Sequence, residues 1–479
     1  MNLLSAETPF IKLLKTPRFK YFYDVGKNEI IRISNELFAD LEMVEKGELS
    51  WEELSSSSDE ELASLLEDGY LSTNRVKHIR HPLSDLCSTF MDRKLEKITL
   101  QVTQECNFRC KYCIYSEDAF PKQRTHSSKY MTWETAKQAV DFYFRHSIDS
   151  KSRNIGFYGG EPLLRFDLIR RVVEYAEEHS KGKQLSFNIT TNGSLLSLEV
   201  VQYLAEHNVN TLLSLDGNKG VQDKNRVFAN GAGTFDVIAA RLEAVRQSFP
   251  EYYQRIQVNS VMSPDNDLDD ILCLPDLFQG IPASRFLTNY VEYSESEFLP
   301  TFDFYKKTEY QRMLAFLAFC GRYPEDRLSS MGNNWLTDLR GAYARFRESA
   351  YLPETFAPGG PCLPGKTRLF ITADGLFFPC ERVNESAHMR IGDLSNGFDF
   401  EAINRLLNIG SLTEEKCKTC WAIRRCSICA KACDDGERLS ADRKLRSCEN
   451  SKINAETTLR RIIFCRELES GAFPEEPKR

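Results

Sequence analysis

The sequence predicts an α/β fold in which a parallel sheet, open or curled into a partial (β/α)6 barrel, carries the functional site. Two observations predict it: short apolar segments alternate with longer segments of helical periodicity, and turns containing Gly or Asn follow several of the apolar segments. The predicted strands are residues 98–102, 154–158, 185–189, 211–215, 256–261 and 285–291. The predicted helices between them include residues 133–146, 166–179 and 235–247. In barrels of this type the chemistry lies at the carboxyl ends of the strands.

A smaller module is predicted before the sheet. Aromatic and β-branched runs on either side of a Gly-Lys-Asn turn predict a hairpin over residues 20–34. Apolar residues at helical spacing predict a first helix that includes Leu37 and Val44. A second helix is predicted to start at Ser58 as N-cap, with Glu61 in the capping-box position. A hairpin followed by short helices predicts a winged-helix-like module.

These changes of pattern divide the chain. With 479 residues it is long enough for several domains. The predicted divisions are a recognition module at 1–90, the sheet domain at 91–310, a helical bridge at 311–361, a cysteine-rich domain at 362–450, and a C-terminal helix and tail at 451–479.

Composition excludes several classes of protein. The chain is 42% hydrophobic and 27% charged, which is typical of globular proteins, and no apolar run approaches the ~20 residues of a membrane span. A net charge of -7 gives no electrostatic basis for binding nucleic acid. The first residues lack the basic and apolar regions of a signal peptide, so we expect a cytoplasmic protein. Its 15 cysteines then need a role other than disulfides.

Most of the cysteines fall into three groups. The first is Cys106, Cys110 and Cys113, the second is Cys362 and Cys380, and the third is Cys417, Cys420, Cys426, Cys429, Cys433 and Cys448. In a reducing compartment such groups are typical of metal or iron–sulfur ligation, because neighbouring thiolates can reach one centre. The cysteines that stand alone are expected to be small buried apolar residues, namely Cys87, Cys273, Cys320 and Cys465.

The first cysteine group directly follows the first predicted strand and has the spacing CxxxCxxC. Three thiolates leave one iron of a [4Fe–4S] cluster open to a ligand from outside the protein. The motif resembles the signature of the radical S-adenosylmethionine (SAM) superfamily. The resemblance implies that Cys106, Cys110 and Cys113 hold the catalytic cluster and that SAM binds at its open iron.

Turns after the next three strands strengthen this resemblance. They are Gly159-Gly160-Glu161-Pro162, Thr190-Thr191-Asn192-Gly193 and Ser214-Leu215-Asp216-Gly217. Ordinary βα turns are the alternative, since Gly and Asn are common turn residues. By resemblance the turns bind SAM, with Gly159, Gly160 and Glu161 at the methionyl amino group, Asn192 at the polar part of the cofactor, and Ser214 and Asp216 at the ribose. The resemblance also places Tyr112, from the cysteine motif, near the adenine and Arg226 at the carboxylate of SAM.

The C-terminal cysteines resemble the SPASM extension, which binds two auxiliary [4Fe–4S] clusters. The family pattern has a cysteine four places after Cys426, where this chain has Ala430, so the ligand roles of Cys429 and Cys433 stay open. By analogy, one cluster takes Cys417, Cys420, Cys426 and Cys448, and the other takes Cys362, Cys380, Cys429 and Cys433. Structural zinc is the alternative, because CxxC pairs are also good zinc ligands.

A winged-helix-like unit before such a core resembles the element that holds the leader of a ribosomally made precursor peptide. The chain as a whole resembles the thioether-forming maturases of cysteine-rich peptides, of the SCIFF, ranthipeptide and freyrasin type. The resemblance implies that a radical derived from SAM removes hydrogen from a peptide carbon, which a substrate cysteine then joins. A flavodoxin- or ferredoxin-type donor is implied as the electron source, and an auxiliary cluster as the sink for the surplus electron.

Two other functions stay open. SPASM relatives also make carbon–carbon cross-links, epimerise residues or form formylglycine. A multi-cluster electron-transfer protein would differ in class, although it would not need SAM-binding turns. Glu117, Asp118 and Glu292 are candidate bases for the substrate thiol, whereas Arg424 and Arg425 are assigned a structural or solvated role.

Overall fold

The computed structural model describes residues 8–115, 126–180, 182–291, 301–346, 351–359 and 362–468. The candidate bases Glu117, Asp118 and Glu292 and the predicted C-terminal tail lie outside these residues. Among the helices of the described ranges, none is long and apolar enough to cross a membrane.

The elements follow the predicted alternation of strands and helices. The strands are β1 Ile11–Lys15, β2 Lys20–Asp24, β3 Glu29–Ile33, β4 His78–Ile79, β5 Lys97–Thr103, β6 Phe108–Cys110, β7 Arg153–Gly159, β8 Leu185–Thr191, β9 Val209–Ser214, β10 Arg226–Phe228, β11 Gln257–Met262, β12 Phe286–Tyr290, β13 Thr355–Phe356, β14 Leu369–Ile371, β15 Leu376–Phe378, β16 Gly392–Asp393 and β17 Gly397–Phe398. The helices are α1 Asn35–Lys46, α2 Trp51–Ser55, α3 Glu60–Glu67, α4 Cys87–Arg93, α5 Trp133–His146, α6 Phe166–His179, α7 Leu198–Glu206, α8 Lys219–Asn225, α9 Phe235–Ser248, α10 Pro250–Arg255, α11 Leu268–Leu272, α12 Leu274–Leu277, α13 Phe302–Phe319, α14 Ser330–Arg345, α15 Phe400–Leu407, α16 Glu414–Lys418, α17 Ala430–Cys433 and α18 Ala441–Leu468.

One mixed sheet organises the molecule, in the order β12-β11-β9-β8-β7-β5-β14-β15-β16-β17. The six strands predicted from the sequence are β5, β7, β8, β9, β11 and β12, and each pairs in parallel with the next. Helices α5, α6 and α9 lie between these strands as predicted. The α/β class and the order of the parallel strands are therefore confirmed.

The two faces of the parallel strands differ in chemistry. On β8, Phe187 and Ile189 are buried, whereas Asn188 and Thr190 between them are only half-buried. Because side chains alternate along a strand, one face packs against the helices and the other presents polar groups. We call the face that presents polar groups the polar face. By the register of the paired strands, its residues include Gln101, Asn154, Asn188, Asn210, Ser214 and Asn259.

The C-terminal region extends this sheet, which the sequence patterns did not indicate. Strand β14 pairs in parallel with β5, and β15, β16 and β17 follow as antiparallel neighbours. The backbone N–H of Ala373, just after β14, donates to the Gln101 side chain at 3.1 Å, across 272 residues of sequence. The cysteine-rich region is thereby joined directly to the strand that precedes the first cysteine group.

The N-terminal module consists of a three-stranded antiparallel sheet, β1-β2-β3, followed by α1, α2 and α3. The predicted hairpin corresponds to β2 and β3. The predicted start of α3 is wrong by one residue: Asp59 is the N-cap, and its carboxylate accepts the Leu62 N–H at 2.7 Å. An Asp caps a helix as well as a Ser does. Glu61 accepts instead from the N–H of Ser34, which ties α3 to the start of α1.

Each face of this small sheet has its own packing partner. Phe22 belongs to a core shared with α1 and α3, which includes Leu37 and Leu62. Tyr21 and Tyr23 point to the opposite face, into a core shared with Ile462 of α18 and with Cys417. The module is therefore docked on the cysteine-rich region, although its identity as a winged helix stays a prediction.

Candidate active site

The first cysteine group lies in the loop after β5. Within this loop β6 pairs antiparallel with β10, which places Cys110 opposite Arg226. The backbone N–H of Phe108 donates to Cys106 Sγ and that of Tyr115 donates to Cys113 Sγ, both at 3.4 Å. Backbone donors of this kind stabilise a negatively charged sulfur.

The donor set of this loop fits an iron–sulfur cluster. Burial raises the pKa of both Cys106 and Cys110 to about 12, and the thiols of the group add to each other's shift. Metal binding must therefore release protons from this loop. Within the described ranges no three Cys, His, Asp or Glu side chains converge as ligands of a single metal ion. A [4Fe–4S] cluster takes each thiolate on a different iron, so it does not require such convergence.

The two glycines after β7 allow a close backbone approach to the cysteine loop. Gly159 has a φ of 144°, and a Cβ built on it would lie 2.1 Å from the carbonyl oxygen of Thr103. A Cβ on Gly160 would lie 2.1 Å from the carbonyl oxygen of Glu105. The N–H groups of Gly160 and Glu161 donate to those same two carbonyls at 2.9 and 2.8 Å. Only glycine fits at these two positions.

Glu161 connects the same turn to the end of β8. Its side chain is 1% exposed, and its carboxylate accepts from the Thr191 hydroxyl at 2.7 Å and from the N–H groups of Asn192 and Leu163 at 2.8 and 3.0 Å. Burial raises the pKa of Glu161 to about 7 against the opposing effect of these donors. Within the described residues no cation pairs with this carboxylate.

Asn192 contacts the cysteine loop itself. Its amide donates to the Asn107 side chain at 2.9 Å, and Asn107 donates in turn to the Ser194 hydroxyl at 2.9 Å. Asn107 is the residue after Cys106. The turn after β8 therefore fixes the conformation of the loop that carries the first cysteine.

Asp216, after β9, lies at the centre of a buried polar network. It is fully buried, and its carboxylate accepts from Arg226 Nε at 3.0 Å, from the Val261 N–H at 3.1 Å and from the Tyr112 hydroxyl. The Arg226 guanidinium also stacks over the Tyr112 ring and extends toward Cys110 Sγ at 3.9 Å. These three protein donors occupy most of the acceptor sites of the Asp216 carboxylate. Ser214, by contrast, is half-buried on the polar face.

A second network at this edge of the sheet was missed by the sequence analysis. Gln101 Nε2 donates to the Tyr115 hydroxyl at 3.0 Å and to Glu385 at 2.6 Å. Gln104 Nε2 lies 3.4 Å from the other oxygen of the same carboxylate. Glu385 lies 284 residues beyond Gln101 and five residues after Cys380, so no local pattern pointed to it.

The remaining cysteine groups meet in the C-terminal region. Burial raises the pKa of Cys380 to about 11, and the neighbouring Cys362 and Cys429 add to the effect. Cys417, Cys420, Cys426 and Cys448 form another set of neighbours. The fully buried Cys433 is close to both sets, because its pKa, raised by burial to about 12, also responds to Cys429, Cys448 and Cys426. The division of these cysteines into two ligand sets, and the metal content of each set, stay predictions.

The expectation for the lone cysteines is half correct. Cys87 and Cys465 are buried, with exposed fractions of 2% and 0%. Cys273 and Cys320 are only half-buried, because each lies at the C-terminal end of a helix near the surface. No cysteine of the described residues is in a disulfide.

Arg424 and Arg425, between Cys420 and Cys426, have a structural role. Arg424 donates to the carbonyl oxygens of Val25 and Gly26 at 2.7 and 2.8 Å. Arg425 donates to the Asn28 side chain at 2.9 Å. The turn between β2 and β3 is therefore held by the loop that connects two candidate cluster ligands.

Comparison with known proteins is consistent with this geometry. Residues 100–272 match the model of the radical SAM superfamily. The chain is 24% identical over 265 residues to the radical SAM cyclopropyl synthase TigE of Paramaledivibacter caminithermalis, covering 52% of this chain and 54% of that protein. It is 26% identical over 162 residues to a cysteine-type anaerobic sulfatase-maturating enzyme of Clostridium novyi, covering 33% of this chain and 42% of that protein. The chain thus spans about half the length of these curated relatives.

The solved structures agree on the fold. The structure of native anSMEcpe with bound AdoMet and Cp18Cys peptide aligns with a TM-score of 0.55 at 18% sequence identity, covering 78% of this chain and 99% of that one. The matched family region contains the CxxxCxxC loop and the turns after β7, β8 and β9 that contact it. Residues 100–272 are therefore similar to the radical SAM superfamily, and the chain resembles TigE and anaerobic sulfatase-maturating enzymes in sequence.

Proposed function

We propose that this chain is a maturase that installs intrapeptide thioether cross-links, from a cysteine sulfur to a backbone or side-chain carbon, in a ribosomally made cysteine-rich precursor peptide. One observation carries the proposal. The three-cysteine loop follows β5, and β5 pairs with β14 of the C-terminal region, which contains the two further groups of cysteines. A reaction that removes a hydrogen atom, a proton and an electron from one substrate needs a site for each, and the first cysteine loop, Glu385 and the C-terminal cysteine sets are our candidates for these sites.

The cofactors in this proposal are SAM and a [4Fe–4S] cluster at Cys106, Cys110 and Cys113. When bound together and reduced by one electron, they supply a carbon radical that takes a hydrogen atom from the substrate. We assign Arg226 to the methionyl carboxylate and the half-buried Ser214 to the ribose. Glu161 contributes negative potential that favours a cofactor with a sulfonium and an ammonium group. Asp216 positions Arg226 and Tyr112 through its hydrogen bonds.

The chain's own residues also supply a candidate proton acceptor. Glu385 belongs to the loop after Cys380 and is held by the amides of Gln101 and Gln104, next to the cysteine loop. We propose that the Glu385 carboxylate accepts the proton of the substrate thiol. This proton must leave before the sulfur bonds to carbon.

The electron left after carbon–sulfur bond formation is assigned to the C-terminal cysteine sets. Each set has thiolate ligands for a cluster, which gives three [4Fe–4S] clusters in all. The electron that initiates each turnover comes from an external flavodoxin- or ferredoxin-type donor. The leader of the precursor is assigned to an edge of the N-terminal sheet, because an extended peptide can add a strand there.

The sulfatase-maturating relative and the peptide bound in the aligned anSMEcpe structure support modification of a peptide or protein as the class of reaction. The other sequence relative is named a cyclopropyl synthase. These chemistries differ from one another, so the thioether product rests on the sequence resemblance.

The experiment uses a short cysteine-rich peptide encoded beside the gene. It is incubated anaerobically with reconstituted protein, SAM and a strong reductant, and its intact mass is measured with and without thiol alkylation. A loss of two hydrogens per ring, together with cysteines that no longer alkylate, is the expected result. A mass loss with all thiols still reactive would establish carbon–carbon linkage or another oxidation, and would contradict the thioether.

Two variants separate the steps. Cys113→Ala removes a cluster ligand and is expected to abolish SAM cleavage, whereas Cys273→Ala removes a lone cysteine and leaves it unchanged. Glu385→Gln is expected to retain SAM cleavage and to lose the cross-link, because hydrogen abstraction does not need the proton acceptor. SAM cleavage by Cys113→Ala at the original rate would contradict the catalytic assignment.

A further inference from the structure

Lys444 is a buried lysine in the first turn of α18. Its side chain is 1% exposed. Burying an ammonium group removes its hydration, and the protein must replace it with favourable electrostatic contacts. The position makes this harder, because the N-terminal end of a helix carries a partial positive charge that repels a cation. No sequence pattern points to this residue.

The contacts of Lys444 include no carboxylate. Its Nζ donates to Thr413 Oγ1 at 2.5 Å, to Cys417 Sγ at 3.2 Å and to the carbonyl oxygen of Gly410 at 3.5 Å. No Asp or Glu of the described ranges forms an ion pair with it. Two neutral oxygens and a thiol do not balance a buried positive charge, so the site is suited to an anionic sulfur.

Lys444 also acts on cysteines other than Cys417. Burial raises the pKa of Cys433 and of Cys448, and the charge of Lys444 opposes the shift in both. Cys433 is the residue that lies close to both C-terminal cysteine sets. The ammonium is therefore in contact with Cys417 and close to Cys433 and Cys448.

We propose that Lys444 is the counter-cation of the thiolate ligands at Cys417 and Cys448 and that its charge raises the reduction potential of the auxiliary cluster they hold. The inference rests on the proposed function, which supplies that cluster. Reduction adds a negative charge to a cluster that is already anionic, and a fixed buried cation stabilises the reduced form more than the oxidised form. Lys444 is thus a positioning residue that favours this cluster as an electron acceptor.

The test is a redox titration of anaerobically reconstituted protein, followed by electron paramagnetic resonance. The first cluster is removed by replacing Cys106, Cys110 and Cys113 with Ala, so that only the C-terminal clusters contribute. Lys444→Met is compared with Lys444→Arg, which keeps the charge, and with Lys416→Met. Lys416 precedes Cys417 and is exposed. Lys416→Met therefore removes an equal positive charge that is hydrated instead of buried.

The expected result is a lower midpoint potential for one cluster in Lys444→Met, with iron and sulfide content unchanged. Lys444→Arg should restore most of the shift, and Lys416→Met should leave both potentials unchanged. Loss of one cluster in Lys444→Met but not in Lys444→Arg also supports the proposal, because the charge is then required for assembly.

Unchanged potentials and full iron content in Lys444→Met would overturn the inference, as would equal shifts in Lys444→Met and Lys416→Met. Failure of the underlying function has a different signature. In that case the protein with intact Lys444 would bind zinc, or no metal, at its C-terminal cysteines.

Discussion

The two cysteine regions of the molecule contain buried charges of opposite sign. Beside the first cysteine group, Glu161 is a buried carboxylate with hydrogen-bond donors and no cation among the described residues. In the C-terminal region, Lys444 is a buried ammonium without a carboxylate in the same part of the chain. The difference indicates that the first region is suited to a cationic ligand and the second to an anionic one. SAM and a thiolate-bound cluster have those respective charges.

Arg226 provides the internal reference for this comparison, because its charge is already balanced. It forms an ion pair with Asp216 at 3.0 Å, and both residues are buried. A balanced pair and an unbalanced charge respond differently when one partner is removed.

The largest expected effect is therefore the loss of Arg226. In cluster-free protein, Arg226→Met leaves the Asp216 carboxylate buried without its cation and should lower the free energy of unfolding by about 3–5 kcal/mol. The double variant with Asp216→Asn should recover most of this loss. Lys444→Met in the same protein leaves no buried charge behind, so little loss is expected. Urea denaturation measures all three, and equal losses for Arg226→Met and Lys444→Met would contradict the comparison.

A second effect concerns the pH dependence that Glu161 causes. Because burial raises its pKa from 4.5 to about 7, the folded state binds its proton more tightly than the unfolded state. The stabilising contribution of this group is therefore full below pH 4.5 and is lost as pH rises from there through 7, by about 3 kcal/mol in total. The difference between the original protein and Glu161→Gln, measured by unfolding of SAM-free, cluster-free protein from pH 5 to pH 8, should follow this curve. A pH-independent difference would show that the carboxylate is ionised throughout.

The smallest effect concerns the contact between the C-terminal cysteine region and the N-terminal module. Arg424→Met removes charged donors from the carbonyl oxygens of Val25 and Gly26 and should reduce local stability by about 2 kcal/mol. Hydrogen exchange measured by mass spectrometry should then become faster in β2 and β3. Arg438→Met, at an arginine whose side chain is 82% exposed, serves as control. Identical exchange in both variants would mean that Arg424 does not hold the turn.

Local patterns were sufficient for the parallel strands and for the positions of the cysteine loop and the turns. Alternating strand and helix periods are properties of short segments, and so is the spacing CxxxCxxC. The hydrogen-bond network of Asp216 was not predicted because its partners come from three separate segments, at Tyr112, Arg226 and Val261. A sequence read in order contains no signal for that convergence.

The contacts that the sequence analysis missed are those between distant segments. Glu385 meets Gln101, β14 pairs with β5, and Lys444 meets Cys417 through the packing of α18. Single residues decided the local errors as well: Asp59 and Ser58 are equally good N-caps, and only the folded backbone selects between them.

The packing of β1 and β2 against α18 affects the order in which parts of the chain fold during synthesis. The Thr16 hydroxyl and the Tyr21 hydroxyl both donate to Glu467, across 451 and 446 residues. Contacts this distant form late, because a long loop must close before they contribute. Until then Cys417, which lies in the core that these strands share with α18, stays accessible to oxygen and to metal ions. The yield of intact protein should therefore fall when translation takes place in the presence of oxygen.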